Sequence, residues 1–170
     1  MEFFVQQFVN ALQLGSLYAL IALGYTMVYG VLLLINFAHG DIFMVGAFLG
    51  VFGSIALGLP FVPTLILAMI LTGLLGVSIE RVAYKPLRQA SRLSVVITAL
   101  GVGLLLENGM LALTGANPRS YPEDFVTTTV YDIGGVSISN VKIIIIVLAA
   151  LLFAGLFTIV QRTKWGMAMR

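Results

Sequence analysis

Residues able to do chemistry are few in this chain. One histidine, His39, and seven carboxylates are present, and there is no cysteine. Disulfides, thiolate nucleophiles and cysteine-ligated metals are therefore excluded. A zinc site would have to be built mostly from carboxylates, and these are scattered along the chain. There is no G-x-S-x-G elbow, no H-E-x-x-H zinc helix and no G-x-x-x-x-G-K phosphate loop. A paired-carboxylate site for acid–base work is not expected, since Asp41, Glu80 and Glu107 go with different apolar runs and different depths. The chain is expected to hold no catalytic residue, no metal and no cofactor of its own.

What remains are isolated polar groups in apolar surroundings. The stretch Asn36-Phe37-Ala38-His39-Gly40-Asp41 gathers an amide, the sole histidine, a glycine and a carboxylate between two apolar runs. Asp41 is placed to cap, or electrostatically favour, a helix that starts there. Alternatively the stretch is a broken-helix element whose freed backbone groups and side chains line a cavity or gate. Tyr18, Tyr25 and Tyr29 recur at spacings of seven and four, close to one helical face. Buried hydroxyls seek partners, so this stripe either lines a path or packs at an interface. Glu107 and Asn108 lie inside another apolar run, facing the bundle, a partner or a polar cavity, or else solvated near the outer interface. Small residues recur every four positions at Ala11, Gly15 and Ala19, and again at Gly46 and Gly50 with Gly53 nearby; such faces let helices approach closely.

The elements that must position these groups follow from composition. Of 170 residues, 60% are hydrophobic and 9% charged, against about 25% charged in an ordinary soluble domain. From Met1 to Ile79 the only formal charges are Glu2 and Asp41. Five apolar runs, about 8–35, 42–59, 61–79, 93–114 and 141–161, predict an all-α polytopic membrane helix bundle with a helix break near 36–41. Residues 1–170 read as one transmembrane domain. The first run is long for a straight span, and Pro60 and Pro63 separate the second from the third.

Basic loops stay in the cytoplasm. Residues 80–92 hold Arg81, Lys85, Arg88 and Arg92, and residues 162–170 hold Arg162, Lys164 and Arg170, so both are expected there. Residues 115–140 are acidic on balance and belong outside. Alternation then puts the N-terminus outside, unless runs two and three form a re-entrant hairpin. Within the outer segment, Val126–Tyr131 and Val136–Ser139 predict a small hairpin turning at Asp132–Gly135. The net charge of +2 is explained by topology and implies no nucleic-acid partner. No basic n-region precedes the first run, which is expected to be retained as a helix.

Four stretches carry a resemblance: LGSLYALIALGYTMVYG (Leu14 to Gly30), INFAHGDIFMVGAF (Ile35 to Phe48), IERVAYKPLR (Ile79 to Arg88) and RTKWGMAMR (Arg162 to Arg170). Through them the chain resembles the inner-membrane permeases of bacterial ABC importers for branched-chain amino acids. The resemblance implies a permease that works by alternating access beside a second, related permease. Two ATP-binding subunits would carry ATP and magnesium, and an external binding protein would deliver leucine, isoleucine or valine. It further implies that Arg162, Lys164, Gly166 and Arg170 approach the ATPase interface and that this is the N-terminal portion of a longer permease; Trp165 is placed simply to anchor its helix at the headgroups. Tyr18, Tyr25, Asn36, His39, Asp41, Glu107 and Asn108 are the candidates for a path or gate, and Gly15, Gly46 and Gly50 for helix packing. Two other classes remain open from the residues: a secondary transporter or channel, for which Glu107 and the break would serve as a site, and a non-transporting membrane scaffold.

Overall fold

A computed structural model describes residues 2–32, 36–87, 89–122 and 125–162. The elements in chain order are α1 (Glu2–Leu32), α2 (His39–Ile55), α3 (Phe61–Ile79), α4 (Arg92–Thr114), β1 (Val130–Ile133), β2 (Val136–Ser139) and α5 (Asn140–Arg162). A π-helical turn, Glu80–Tyr84, and a short 3₁₀ turn, Lys85–Leu87, extend α3. The expected all-α polytopic class is the one observed. Among the described residues four segments are long and apolar enough to cross a membrane: Glu2–Gly30, Phe61–Leu87, Leu93–Thr114 and Asn140–Arg162. At 17 residues, α2 measures about 26 Å, short of the ~30 Å hydrocarbon core.

No large side chain is fully buried among the described residues, and Phe4 and Leu113 are 77% and 83% exposed. Apolar surface on this scale is stable against lipid or other helices, not against water.

The chain forms two compact units, residues 1–33 with 126–170 and residues 34–125. In the first, α5 packs against α1. The hairpin pairs Val130 with Ser139 and Ile133 with Val136, leaving Gly134 and Gly135 as a two-residue turn with φ of +61° and +81°. Positive φ at both central positions is the type I′ requirement that a glycine pair meets without strain. The turn therefore narrows to these two residues instead of Asp132–Gly135, and Asp132 joins β1 while its Oδ1 accepts from Gly135 N at 3.1 Å. The strand starts at Val130 rather than Val126, because Thr127 and Thr129 bind Asn140 instead. The Asn140 amide donates to the Thr127 carbonyl at 2.7 Å and accepts from Thr129 N at 3.1 Å. Gln6 of α1 binds β2 at Ser137 with two backbone hydrogen bonds, 2.8 and 3.1 Å. Lys142 donates to Asn10 Oδ1 at 2.7 Å, so the cation at the head of α5 is held by an amide on α1.

In the second unit α2 packs most extensively on α3 and also on α4. Gly58, at φ +59°, turns the chain after α2. Pro60 takes the N-cap position of α3 and Pro63 sits in its first turn, where a missing N–H costs nothing. Ser91 caps α4 by accepting from Ser94 N at 3.2 Å, and Gly115, at φ +76°, ends it.

Candidate functional site

The polar break at the head of α2 is built from Asn36 outward. Residues 36–38 are not helical, and the N-cap position falls on Ala38, which offers no side-chain oxygen. Asn36 supplies one from two residues upstream. Its Oδ1 accepts from Ala38 N at 3.1 Å and its carbonyl from His39 N at 3.2 Å, an Asx turn that leads into the helix. The same Oδ1 accepts a 2.6 Å hydrogen bond from the Tyr84 hydroxyl. A backbone N–H can only donate, so the amide oxygen must face Ala38, and Tyr84 must then be the donor. Tyr84 is 6% exposed and ends the π-helical turn after α3.

Asp41 is not the cap. It is the third residue of α2, in the first turn, where its charge favours the helix N-terminus. Its carboxylate lies against Gly103 of α4: a Cβ at that glycine would stand 2.6 Å from Asp41 Oδ2 and 3.9 Å from Ala38 Cα. Gly101 and Gly109 of the same helix have nothing within 4 Å, so the close approach is specific to position 103. Gly103 is the midpoint of Arg92–Thr114. The break thus runs from Tyr84, at the end of α3, to the middle of a helix long enough to span. A carboxylate within the span of a membrane helix is costly unless it faces water, a solute or a partner, and a first-turn position offsets only part of that cost. Among the described residues no hydrogen bond or ion pair to this half-buried carboxylate is found.

The other sequence candidates are distributed as follows. His39 is half-buried and opens α2. Glu107 stands four residues after Gly103, one turn along the same face of α4, and is exposed. Asn108 donates to its own helix at Leu104 O, 2.8 Å. Tyr18 is 68% and Tyr29 48% exposed on α1, with Tyr25 half-buried. Gly46 and Gly50 are sites of close approach: a Cβ would stand 2.9 Å from Thr72 Oγ1 and 2.5 Å from the Tyr121 hydroxyl, respectively. Thr72 Oγ1 is buried without a hydrogen-bond partner among the described residues. Nothing lies within 4 Å of a Cβ at Gly15. Arg162 is exposed at the end of α5. Lys164, Trp165, Gly166 and Arg170 lie outside the described residues.

Three residues of consequence were not singled out from the sequence. Tyr84 stands beside Lys85 at the end of an apolar run and reads as an interfacial tyrosine. Gly103 is one of several glycines in α4 with no local mark. Tyr121 sits in a proline-flanked segment between α4 and β1, yet its hydroxyl donates to Ala47 O of α2 at 3.3 Å. Its ring stacks on Phe125 at 4.9 Å, and Phe125 meets Phe61 edge-on at 5.7 Å. Burial pushes the Tyr121 phenol up from its ordinary range, which keeps it protonated as that donor. In the first unit, a cavity of about 280 Å³ between α1 and α5 is lined by Leu23, Met27, Phe153 and Phe157 among others and contains none of the polar candidates.

Four apolar helices long enough to span, among the described residues, define a multi-pass membrane protein. The family model for the branched-chain amino acid transport system permease component matches residues 7–170, and the chain belongs to that family. It is 40% identical over 178 residues to the high-affinity branched-chain amino acid transport system permease protein BraD of Pseudomonas aeruginosa, covering 98% of this chain and 58% of that protein. It is 34% identical over 179 residues to the permease proteins LivH of Salmonella typhimurium and Escherichia coli, covering 99% of this chain and 58% of each relative. The chain therefore spans under two thirds of these relatives' length. No solved structure matches it.

Proposed function

We propose that the chain serves as a permease subunit of an ATP-driven importer that moves branched-chain aliphatic amino acids across the bacterial inner membrane by alternating access. The observation that carries the reading is the seating of Asp41 on Gly103, which brings a carboxylate and an uncapped helix start to the middle of a spanning helix. Transporter sites are built from such discontinuities, where freed backbone and polar side chains face a cavity. Membership of the permease family supplies the substrate class. Asn36, His39 and Asp41 form the polar break on the path, with Glu107 and Asn108 further along α4; α1 contributes Tyr18 and Tyr25 as lining candidates.

In this reading ATP and magnesium are bound by two partner subunits, and a second permease and an external binding protein complete the assembly. The chain does no bond-making chemistry. The basic segment 80–92 and the residues from Arg162 face the cytoplasm and the N-terminus faces outside, with Arg162, Lys164, Gly166 and Arg170 nearest the ATPase.

The test is ATP-dependent leucine uptake into vesicles holding the full-length permease with its partners. Asp41→Asn keeps the shape and removes the charge, and is expected to cut uptake roughly tenfold, the equivalent of about 1.4 kcal/mol, with unchanged recovery of the complex. Normal uptake by that variant would remove Asp41 from the path. No ATP-dependent uptake by the wild type would overturn the permease reading.

A further inference from the structure

The hydrogen bond between Tyr84 and Asn36 joins two features that the family assignment leaves unconnected, and we infer that Tyr84 is a positioning residue that sets where α2 begins and so transmits movement of the basic segment after α3 to the polar break. The inference rests on the permease reading and concerns how motion enters that site.

One atom carries two loads. Asn36 Oδ1 holds Ala38 N, and with it the turn that starts α2, while also receiving the Tyr84 hydroxyl at 2.6 Å. The Asn36 rotamer that supports the helix start is therefore the rotamer that Tyr84 selects. Three residues downstream of Ala38, Asp41 rests on Gly103. A displacement of Tyr84 pulls Asn36 out of the Asx turn, removes the support of the uncapped first turn and lifts Asp41 from its seat on α4. The element that carries Tyr84 is irregular: Glu80–Tyr84 is a π-helical turn joined to a 3₁₀ turn at Lys85–Leu87, π turns are frequent at functional sites, and 3₁₀ hydrogen-bond geometry is poorer than that of an α-helix. Arg81 and Lys85 sit on these turns, so the irregular segment borders the chain's first cluster of basic residues. Tyr84 is buried and lies outside the break itself; it acts through Asn36.

The experiment uses the full-length permease with its ATP-binding partners and binding protein in vesicles, measuring leucine uptake and ATP hydrolysis together. Tyr84→Phe deletes one oxygen and leaves the ring in place. The expected result is an intact complex of near-normal thermal stability in which leucine moved per ATP hydrolysed falls about fivefold or more, the lower end of the usual range for coupling between two sites. Asn36→Ala is expected to lower the ratio as well, and the double variant no further than Asn36→Ala alone, because Asn36→Ala already removes the bond that Tyr84→Phe deletes. A transporting wild type with a normal ratio in Tyr84→Phe or in Asn36→Ala overturns the inference alone, as do losses that add in the double variant. A wild type that moves no leucine overturns the permease reading and this inference with it.

Discussion

Replacing Gly103 by alanine separates two effects that act in opposite directions. Alanine in a helix interior is favoured over glycine by about 0.8–1 kcal/mol. The new Cβ would stand 2.6 Å from Asp41 Oδ2, where ordinary contact begins at 3.4 Å, so the carboxylate must withdraw by about 0.8 Å, by the hard-core limit on packing. The obstructing atom is the end of a side chain that can rotate, which puts the overpacking cost near the lower part of the usual 1–3 kcal/mol. The net change is about 0–1 kcal/mol of destabilisation, a fall in Tm of no more than about 4 °C for a chain of this size. In an Asp41→Ala background the clash is absent and the helical gain remains, so Gly103→Ala should raise Tm by about 2–4 °C. Gly101→Ala, with nothing within 4 Å, should behave alike in both backgrounds. The assay is thermal unfolding of the purified protein in detergent at one scan rate, paired with leucine uptake, which should fall in Gly103→Ala because Asp41 has been displaced. An equal Tm shift in the two backgrounds would refute the contact between Asp41 and Gly103 and the account of the break built on it.

Three further outcomes follow from the packing. Gly50→Ala places a Cβ 2.5 Å from the Tyr121 hydroxyl and should break its bond to Ala47, exposing the segment around Tyr121 to protease faster than in wild type; in a Tyr121→Phe background the added effect should shrink. Gly15→Ala meets nothing within 4 Å among the described residues and should raise Tm by about 2–4 °C through helix propensity while lowering co-purification of the second permease subunit if α1 packs against it; a lower Tm would place Gly15 in an internal contact instead. Charge reversal at Arg162 and Lys164 should reduce recovery of the ATP-binding subunit with the permease, and unchanged recovery would remove these two residues from that interface.

The helices and the break were legible in the sequence because both follow from local composition. Runs of apolar residues have one stable form in lipid, and the polar stretch from Asn36 marks the interruption, although helix resumes at His39, so the non-helical part is 36–38 rather than the expected 36–41. The hairpin was legible too, though its strand was set four residues early: β-branched content marks strands broadly, whereas the turn is fixed by the one glycine pair able to take positive φ. Asp41 was read as a cap or a dipole partner; it is not the cap, and the uncapped start of α2 is supported instead by the Asx turn of Asn36, two residues upstream of Ala38. Tyr84, Gly103 and Tyr121 stayed hidden for a different reason. Each matters through a contact 48 to 74 residues away in sequence or across two helices, and no local pattern distinguishes Gly103 from Gly101 or Tyr84 from an interfacial tyrosine.

Residues 1–170 contain no cysteine, so single cysteines introduced as Phe37→Cys in the break and Gly40→Cys in the first turn of α2, with Gln89→Cys in the basic segment as reference, are read against the labelling of the unsubstituted importer. The decisive measurement is their labelling by a membrane-impermeant thiol reagent in the assembled importer. A break that lies within the membrane on a gated path predicts that positions 37 and 40 react more slowly than 89 at rest, and that their rates change when ATP and leucine-loaded binding protein are added while the rate at 89 does not. Labelling at 37 and 40 as fast as at 89, and indifferent to ATP and leucine, would show an ordinary loop in water and contradict the account.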